Sequence, residues 1–227
     1  IGPTLAAFGV SGALTDPRLD IFPAGASTPA AGNDNWEAAE AAVFSAVGAF
    51  ALPAGSRDAA VVATLPEGAY TAQLTPGAGT TDPGLALVEL YDAAGGSAVR
   101  LVNVSARSEV GTGADILVAG FTIAGNGPRR LLVRAIGPAL AGFHVAGVLV
   151  DPRLDLYRAG ASSPMLGNDN WEIAQSAVFG QVGAFGLPEG SRDAVLVVTL
   201  EPGSYTAQVS GVGGTTGVAL VEVYEVP

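Results

Sequence analysis

Apolar and polar residues alternate with a period of two along much of the chain, the pattern of a β-strand with one buried face. This pattern predicts strands at residues 98–107, 115–124, 129–136, 153–157, 194–200, 204–210 and 218–225. Asn126-Gly127 predicts a hairpin between the second and third of these strands, and Pro202-Gly203 predicts another turn. Short strands between Gly- and Pro-rich turns predict an all-β fold, a jelly-roll-like β-sandwich of about eight strands.

Two stretches follow a helical period instead. Residues 172–182 carry apolar side chains that fall roughly on one helical face, namely Ile173, Val178, Phe179 and Val182. Residues 37–47 form the corresponding stretch earlier in the chain. We interpret each as one short helix inserted in a long connection. An irregular loop is the alternative, because Gly180 and Gly183 weaken a helix.

The chain contains an internal repeat. The motifs DPRLD, GNDNWE, VGAF, GSRDA and YTAQ each occur twice, with the second copy 135 positions after the first. The offset falls to 133 near the C-terminus, because the first copy carries an extra Asp82-Pro83. We therefore predict two tandem β-sandwich repeats, residues 1–92 and residues 93–227, of which the first lacks its N-terminal strands.

The incomplete first repeat points to a partner. A sandwich that lacks three strands exposes open sheet edges, and such edges recruit other strands. The alternative is that residues 93–135 pack on the first copy and leave the second one incomplete. In either case one domain is short of strands, so we expect the partner to be another copy of the protein.

Composition excludes several classes of function. The net charge of −11 argues against nucleic acids and anionic membranes, because no basic cluster can replace their counterions. The absence of Cys excludes disulfides and thiolate chemistry. The absence of Lys excludes Schiff bases and Lys-based isopeptide bonds. A hydrophobic content of 49% argues against disorder, and the apolar runs are too short to span a membrane. The chain begins at Ile1, so we expect a trimmed or excised piece that has lost any export signal.

The most site-like residues are two Asn-Asp-Asn triplets, one in each repeat: Asn33, Asp34, Asn35 and Asn168, Asp169, Asn170. Closely spaced oxygen ligands suit a hard cation such as Ca²⁺. Each triplet supplies one carboxylate, so a full site needs others, with Asp16 or Asp20 and Asp151 or Asp155 as candidates. The alternative is an Asx-turn and helix N-cap, in which these side chains bond backbone N–H groups.

The remaining candidates have mainly structural interpretations. Trp36 and Trp171 follow the triplets; exposed indoles could stack on sugar rings, whereas buried ones would anchor the helix on the sandwich. Arg57-Asp58 and its second copy form a local ion pair or brace a loop. His144 is interpreted as a loop residue, because the sequence contains no GxSxG, HExxH or SxxK motif. We predict no catalytic residues and no enzyme activity.

The pattern also resembles a known kind of repeat. The segments that carry the resemblance are SARSEVGTGADILVAGF, RRLLVRAIGPAL, DPRLDLY, GNDNW and the closing PGSYTAQVSGVGGTTGVALVEVY. Together they look like a Gly-rich β-repeat found, often C-terminally, in large secreted proteins of environmental bacteria. The order DLY, NDN, PGSYTAQV is more distantly similar to bacterial pre-peptidase C-terminal domains. Those are jelly-roll sandwiches appended to secreted enzymes, and some bind calcium. The resemblance implies an extracellular or cell-surface location.

Two functional hypotheses remain. The first is a structural module that forms a filament, adhesive fibre or surface array by head-to-tail packing and strand complementation between repeats. The second is a calcium-dependent module that binds carbohydrate or matrix and belongs to a larger secreted protein.

Overall fold

A computed structural model describes residues 1–80, 84–93 and 101–227. It divides into two compact units, Ile1–Arg100 and Leu101–Pro227. The Asp82-Pro83 insertion and residues 98–100 of the first predicted strand lie outside the described residues. Within the described ranges, no helix is long and apolar enough to cross a bilayer. The repeat boundary after residue 92 remains a prediction from the sequence.

The first unit is built on a three-stranded antiparallel sheet with the order β2-β1-β3. Its strands are β1 (Pro17–Pro23), β2 (Ala31–Asn33) and β3 (Tyr70–Pro76). A 3₁₀ turn, Ala38–Glu40, leads into the helix α1 (Ala41–Val47), which confirms the helix predicted over residues 37–47. A second 3₁₀ helix, Pro3–Phe8, precedes the sheet.

The second unit contains eight strands and one short helix. In chain order they are β4 (Asn103–Val110), β5 (Leu117–Ile123), β6 (Arg129–Ile136), β7 (Pro152–Arg158), β8 (Leu166–Asn168), α2 (Ser176–Phe179), β9 (Ala194–Leu200), β10 (Gly203–Gly211) and β11 (Gly217–Glu225). Three 3₁₀ segments complete it, namely Pro138–Phe143, Ile173–Gln175 and Val212–Gly214. The seven strands predicted from alternation are all present, whereas the three-residue strand β8 was not predicted.

These eight strands form two antiparallel four-stranded sheets, β5-β10-β7-β8 and β4-β11-β6-β9. The second unit is therefore the predicted all-β, jelly-roll-like sandwich. Strands β4, β5 and β6 pair with β11, β10 and β9 of the second copy, so they complete this unit. The hairpin predicted at Asn126-Gly127 is wrong, because β5 and β6 belong to different sheets and the turn crosses between them.

Two apolar cores lie on opposite faces of the sheet that contains β6. The first fills the space between the two sheets, and β6 contributes Leu131, Val133 and Ala135 to it. The second lies under α2 and the loop after it, and β6 contributes Leu132 and Ile136 there. Because both faces of β6 are buried from Leu131 to Ile136, this stretch is apolar except for Arg134, as expected for an interior strand. It lies between β11 and β9 and is therefore an interior strand of the sheet.

The two copies adopt different structures from nearly the same sequence. The sheet of the first unit matches β8-β7-β10 of the second in strand order and register, with Leu19 opposite Leu74 as Leu154 is opposite Val209. Residues 59–65 and 84–92, however, which correspond to β9 and β11, form no strand. Among the described residues, the first unit thus contains one sheet of the sandwich.

Candidate functional site

The Asn-Asp-Asn triplets tie the end of a short strand to the chain that follows the helix. Asn168 Nδ2 donates a hydrogen bond to the Asn170 carbonyl at 2.9 Å, and Asn168 Oδ1 accepts one from the Val195 N–H at 2.9 Å. Asn33 makes the same two bonds, to the Asn35 carbonyl and from the Ala60 N–H. An Asx-turn would have the side-chain oxygen accept from the N–H two residues on, whereas here the amide nitrogen donates to that residue's carbonyl, so the predicted Asx-turn is not the arrangement that forms.

Glutamates cap the N-termini of the helical segments, and the triplets do not. The Glu172 N–H donates to Gln175 Oε1 at 2.8 Å, and the Glu37 N–H donates to Glu40 Oε2 at 3.1 Å. Each pair forms a capping box at the start of a 3₁₀ turn. Glu37 and Glu172, each two positions after a triplet, are therefore the N-cap residues, and the N-cap role considered for the triplets is not theirs.

The candidate calcium ligands are engaged in other contacts. The described residues contain no group of three or more His, Asp or Glu side chains placed to hold a metal ion. The four supporting carboxylates each pair with an arginine, in the ion pairs Arg57–Asp16, Arg18–Asp20, Arg192–Asp151 and Arg153–Asp155. Asp169 Oδ1 accepts a hydrogen bond from Asn170 Nδ2 at 3.2 Å. Calcium binding remains a prediction.

We expect Asn168→Ala to lower the free energy of unfolding by about 1–3 kcal/mol, because the Val195 N–H loses its acceptor. The loss should be equal in calcium chloride and in EDTA, when measured by urea titration. Asp169→Ala, whose carboxylate lies beside the same turn, is the matched variant and should change stability little. A loss in Asp169→Ala that occurs only in calcium would instead support the calcium site.

The two tryptophans occupy equivalent positions with different burial. Trp171 is buried against Phe179, at a ring distance of 5.7 Å, and its Nε1 donates to Ser191 Oγ at 3.0 Å. Trp36 makes the same contacts with Phe44 and Ser56, at 5.6 and 3.0 Å, but it is only half-buried. The indole anchors the helix, as one of the two interpretations predicted, and carbohydrate stacking remains a prediction.

The Arg-Asp pairs do not bond within themselves. Arg192 binds Asp151 at 2.6 Å, whereas the buried Asp193 accepts from the N–H groups of Gly137 and Ala139 at 2.8 and 3.3 Å. Asp193 therefore holds the end of β6 against the start of β9.

Asp58 repeats this arrangement in the first unit, where it accepts from the N–H of Gly2 and from Thr4 Oγ1. Burial alone raises the pKa of the Asp58 carboxyl. Hydrogen bonds from Thr4, Ser56 and Gly2 outweigh that effect and lower the pKa below its usual value. The only histidine, His144, is exposed and ends a 3₁₀ helix in the left-handed conformation, with φ of 61°.

A buried arginine site was missed by the sequence analysis. Arg134 on β6 is 0% exposed, and its Nε donates to Glu222 Oε2 at 2.8 Å. Its Nη1 donates to the Phe185 carbonyl at 2.6 Å. Three aromatic rings surround the guanidinium, with centroids 4.9, 4.5 and 5.8 Å from its carbon, those of Phe179, Phe185 and Tyr224. An arginine between Leu132 and Ile136, on an alternating apolar face, was the indication available in the sequence.

The segment of the first unit that corresponds to β11 is exposed and apolar. Val88 is 49% exposed, whereas its counterpart Val221 is 1% exposed. Leu85, Leu87 and Leu90 are exposed as well. A groove of about 800 Å³ in the same unit is lined by residues of α1, by Val62 and by the segment 91–93. In the second unit Val197 and Tyr224, the counterparts of Val62 and Tyr91, lie opposite Leu132 of β6, so this side of the groove lies where that strand would run.

Comparison with known proteins is limited. No protein-family profile matches the sequence, and no curated protein matches it. Among solved structures, the chain is similar to the crystal structure of the pre-peptidase C-terminal domain of a collagenase from Bacillus anthracis. The identity is 10% and the TM-score 0.35, over 54% of this chain and 89% of that one. The similarity is distant, and it is to the class of domain that the order DLY, NDN, PGSYTAQV resembles.

Proposed function

We propose that this protein is a non-enzymatic extracellular structural module whose repeats assemble into a filament or surface array by strand complementation. The first unit acts as the acceptor, and strands equivalent to β4–β6 of another copy of the repeat complete it.

The observation that supports this proposal is that two segments form strands in the second unit, whereas their counterparts in the first unit do not. Residues 194–200 and 217–225 are paired strands on either side of β6. Residues 59–65 and 84–92 have nearly the same sequence and form no strand. Their exposed apolar side chains would be buried by an added strand. The main-chain hydrogen bonds of that strand would add to the free energy of association.

The geometry of such an assembly is head to tail. The donor and acceptor surfaces are different, so the contact is heterologous and can propagate without closing. The chain carries one described β4–β6 segment, which is paired within the second unit. When the β4–β6 segment leaves its own unit, it exposes the core of that unit, so exchange of this segment between chains should be slow. The fraction of exchanged chains should increase with protein concentration.

Composition and resemblance support the location and the class of function. The absence of Cys and Lys leaves only non-covalent cohesion, through apolar burial and strand pairing. The Gly-rich repeat that the sequence resembles occurs in secreted proteins. The sequence also lacks the catalytic motifs of hydrolases that use an activated serine or a metal.

We expect the purified chain to form larger species as its concentration rises, observed by sedimentation velocity and by negative-stain electron microscopy. Val62→Glu, which places a charge in the groove of the first unit, should suppress these species. Ile173→Glu removes an equally exposed apolar side chain from the second unit and serves as the matched control. Deletion of residues 97–134, the donor segment, should abolish assembly. Dispersed particles at all concentrations would contradict self-assembly, and polymers of the deletion variant would exclude strand donation.

A further inference from the structure

We propose that the second unit binds a neutral saccharide ring in a polar pocket on the outer face of the sheet β5-β10-β7-β8. All of the described residues that line this pocket belong to the second unit, so the site does not depend on strand complementation and goes beyond the proposed function. The Asn-Asp-Asn triplet of this unit and Trp171 are not among those lining residues, so the site is also distinct from the candidates found in the sequence.

The floor of the pocket is formed by two neighbouring strands that present polar side chains away from the core. The inward-facing residues of these strands include Leu154, Leu156, Ala207 and Val209. The residues that alternate with them therefore point outward. Asp155 and Tyr157 of β7 and Gln208 and Ser210 of β10 line the pocket, and Asp155 lies directly opposite Gln208.

Two glycine-rich loops, which follow β4 and β10, form the wall of the pocket. Their lining residues are Gly111, Thr112, Gly113, Ile116, Gly211 and Gly214. A Cβ on Gly111 would lie 2.9 Å from the Asp115 carbonyl oxygen, and a Cβ on Gly211 would collide with the Thr215 carbonyl oxygen. Each loop can therefore turn this tightly only with glycine at that position. The pocket has a volume of about 280 Å³, which is small for a ligand site and suits a single ring.

Three polar side chains in the pocket are available to a ligand. Tyr157, Gln208 and Ser210 are half-buried, and among the described residues their side chains have no hydrogen-bond partner. A phenol, a primary amide and a hydroxyl can each both donate and accept a hydrogen bond. A ligand that carries several hydroxyl groups can bond to all three.

The charge in the pocket favours a neutral ligand. Asp155 is the only charged residue among the described lining residues, and Arg153 neutralises it. Arg153 Nε and Nη2 donate to Asp155 Oδ2 and Oδ1 at 2.8 and 2.9 Å, which fixes the carboxylate but leaves it lone pairs for further donors. An anion would find no free cation here, and the net charge of −11 would repel it.

The arrangement of polar and apolar groups fits a saccharide ring. Directly opposed residues on antiparallel strands have Cβ atoms about 4.5–5.5 Å apart, so Asp155 and Gln208 can bind two neighbouring hydroxyl groups of one ring. Ile116 and the ring of Tyr157 supply apolar surface for the C–H groups. An extended peptide is disfavoured, because β7 and β10 are each paired on both edges and offer no free edge to an added strand.

The first unit provides a natural comparison. Asp20 lies opposite Gln73 there, as Asp155 lies opposite Gln208. Phe22, however, stands at the position of Tyr157 and has no hydroxyl group, and Pro76 stands at the position of Gly211. We therefore assign the site to the second unit alone.

The test follows the backbone amide signals of the isotope-labelled full chain by two-dimensional NMR. The probes are D-glucose, D-galactose, D-mannose and N-acetyl-D-glucosamine, each added up to about 50 mM. We expect at least one sugar to shift the signals of Thr112, Gly113 and Gly214 saturably, with a Kd of about 10 mM or lower. The shifts should be equal in calcium chloride and in EDTA, because no step of this binding uses a metal ion. Tetrahydropyranyl methanol, which has the same ring without the ring hydroxyls, should cause no saturable shift.

Two variants test the side chains that bind the sugar. Gln208→Ala should weaken binding about fivefold or more, and Tyr157→Phe about threefold or more, because each loses hydrogen bonds to the ligand. Phe22 shows that phenylalanine is accommodated at the second of these positions. Gln73→Ala removes the equivalent amide from the first unit and should bind like the unmodified chain. Melting temperatures should be the same for all three variants, because these side chains make no hydrogen bond among the described residues.

Several outcomes would overturn the site. They are the absence of a saturable shift with all four sugars, an equal response to tetrahydropyranyl methanol, and shifts confined to signals of the first unit. Equal weakening by Gln73→Ala and Gln208→Ala would overturn it as well, because the effect would not belong to this pocket. Each of these results leaves the proposed assembly standing, since sedimentation and electron microscopy test that function separately.

Discussion

Replacing Arg134 with alanine is expected to lower the free energy of unfolding of the second unit by about 3–5 kcal/mol. Glu222 is 5% exposed and would be left without a cationic partner, and the Phe185 carbonyl would lose its donor. The change also removes a fully buried side chain that packs between three aromatic rings. The measurement is urea denaturation followed by Trp171 fluorescence, in a Trp36→Phe background that leaves one tryptophan.

The matched control for this variant is Arg129→Ala on the same strand. Arg129 lies 3.4 Å from Glu225 with a side chain that is 47% exposed, so its loss should cost no more than about 1 kcal/mol. Replacing both Arg134 and Glu222 with methionine should recover part of the stability, because no charge is then buried without a partner. A loss below about 1 kcal/mol for Arg134→Ala would show that the pair is dispensable.

Asp193→Ala is expected to cost about 2–4 kcal/mol, because it leaves buried donors without an acceptor. Asp193 is 0% exposed and accepts from two backbone N–H groups and from Ser191 Oγ at 2.6 Å. Those bonds join the end of β6 to the start of β9, so we expect the variant to loosen the pairing of these strands. Urea denaturation followed by Trp171 fluorescence reports the loss.

Two further variants serve as comparisons for the loss of stability in Asp193→Ala. Asp193→Asn keeps one acceptor oxygen and should lose less than the alanine variant. Asp155→Ala breaks an ion pair whose arginine is 45% exposed and should cost no more than about 1 kcal/mol. If Asp193→Ala is as mild as Asp155→Ala, the buried carboxylate does not hold the two strands together.

The strands of the second unit were predictable because each carries its own apolar alternation. Residues 129–136 and 194–200 were predicted with the bounds that the structure has. The helical period of residues 172–182 also located α2, although Gly180 ends it after one turn. The turn at Asn126-Gly127 was misjudged, since a local turn sequence does not state which strands pair. Strand β6 pairs where both of its apolar faces are covered.

The candidate site was predictable only in part. The triplets, the tryptophans and the Arg-Asp pairs were found by their repetition. The contacts of the triplets and tryptophans lie within about 30 residues, as in the Asn168 to Val195 bond, whereas Asp193 reaches Gly137, 56 positions away, which no local pattern indicates. The Arg134–Glu222 pair joins residues 88 positions apart. No local pattern links those two residues, so only the packing of β6 against β11 shows that they meet.

The sequence by itself determined the all-β class, the duplication, the positions of most strands and the absence of cysteine and lysine chemistry. Only the tertiary structure decided which of those potential strands are formed. Residues 59–65 and 194–200 share nearly the same alternation, yet only the second segment is a strand. The physical reason is that a strand is stabilised by hydrogen bonds and side-chain contacts with its neighbours in the sheet. The second segment has β6 beside it, whereas no strand of the first unit takes that place among the residues described.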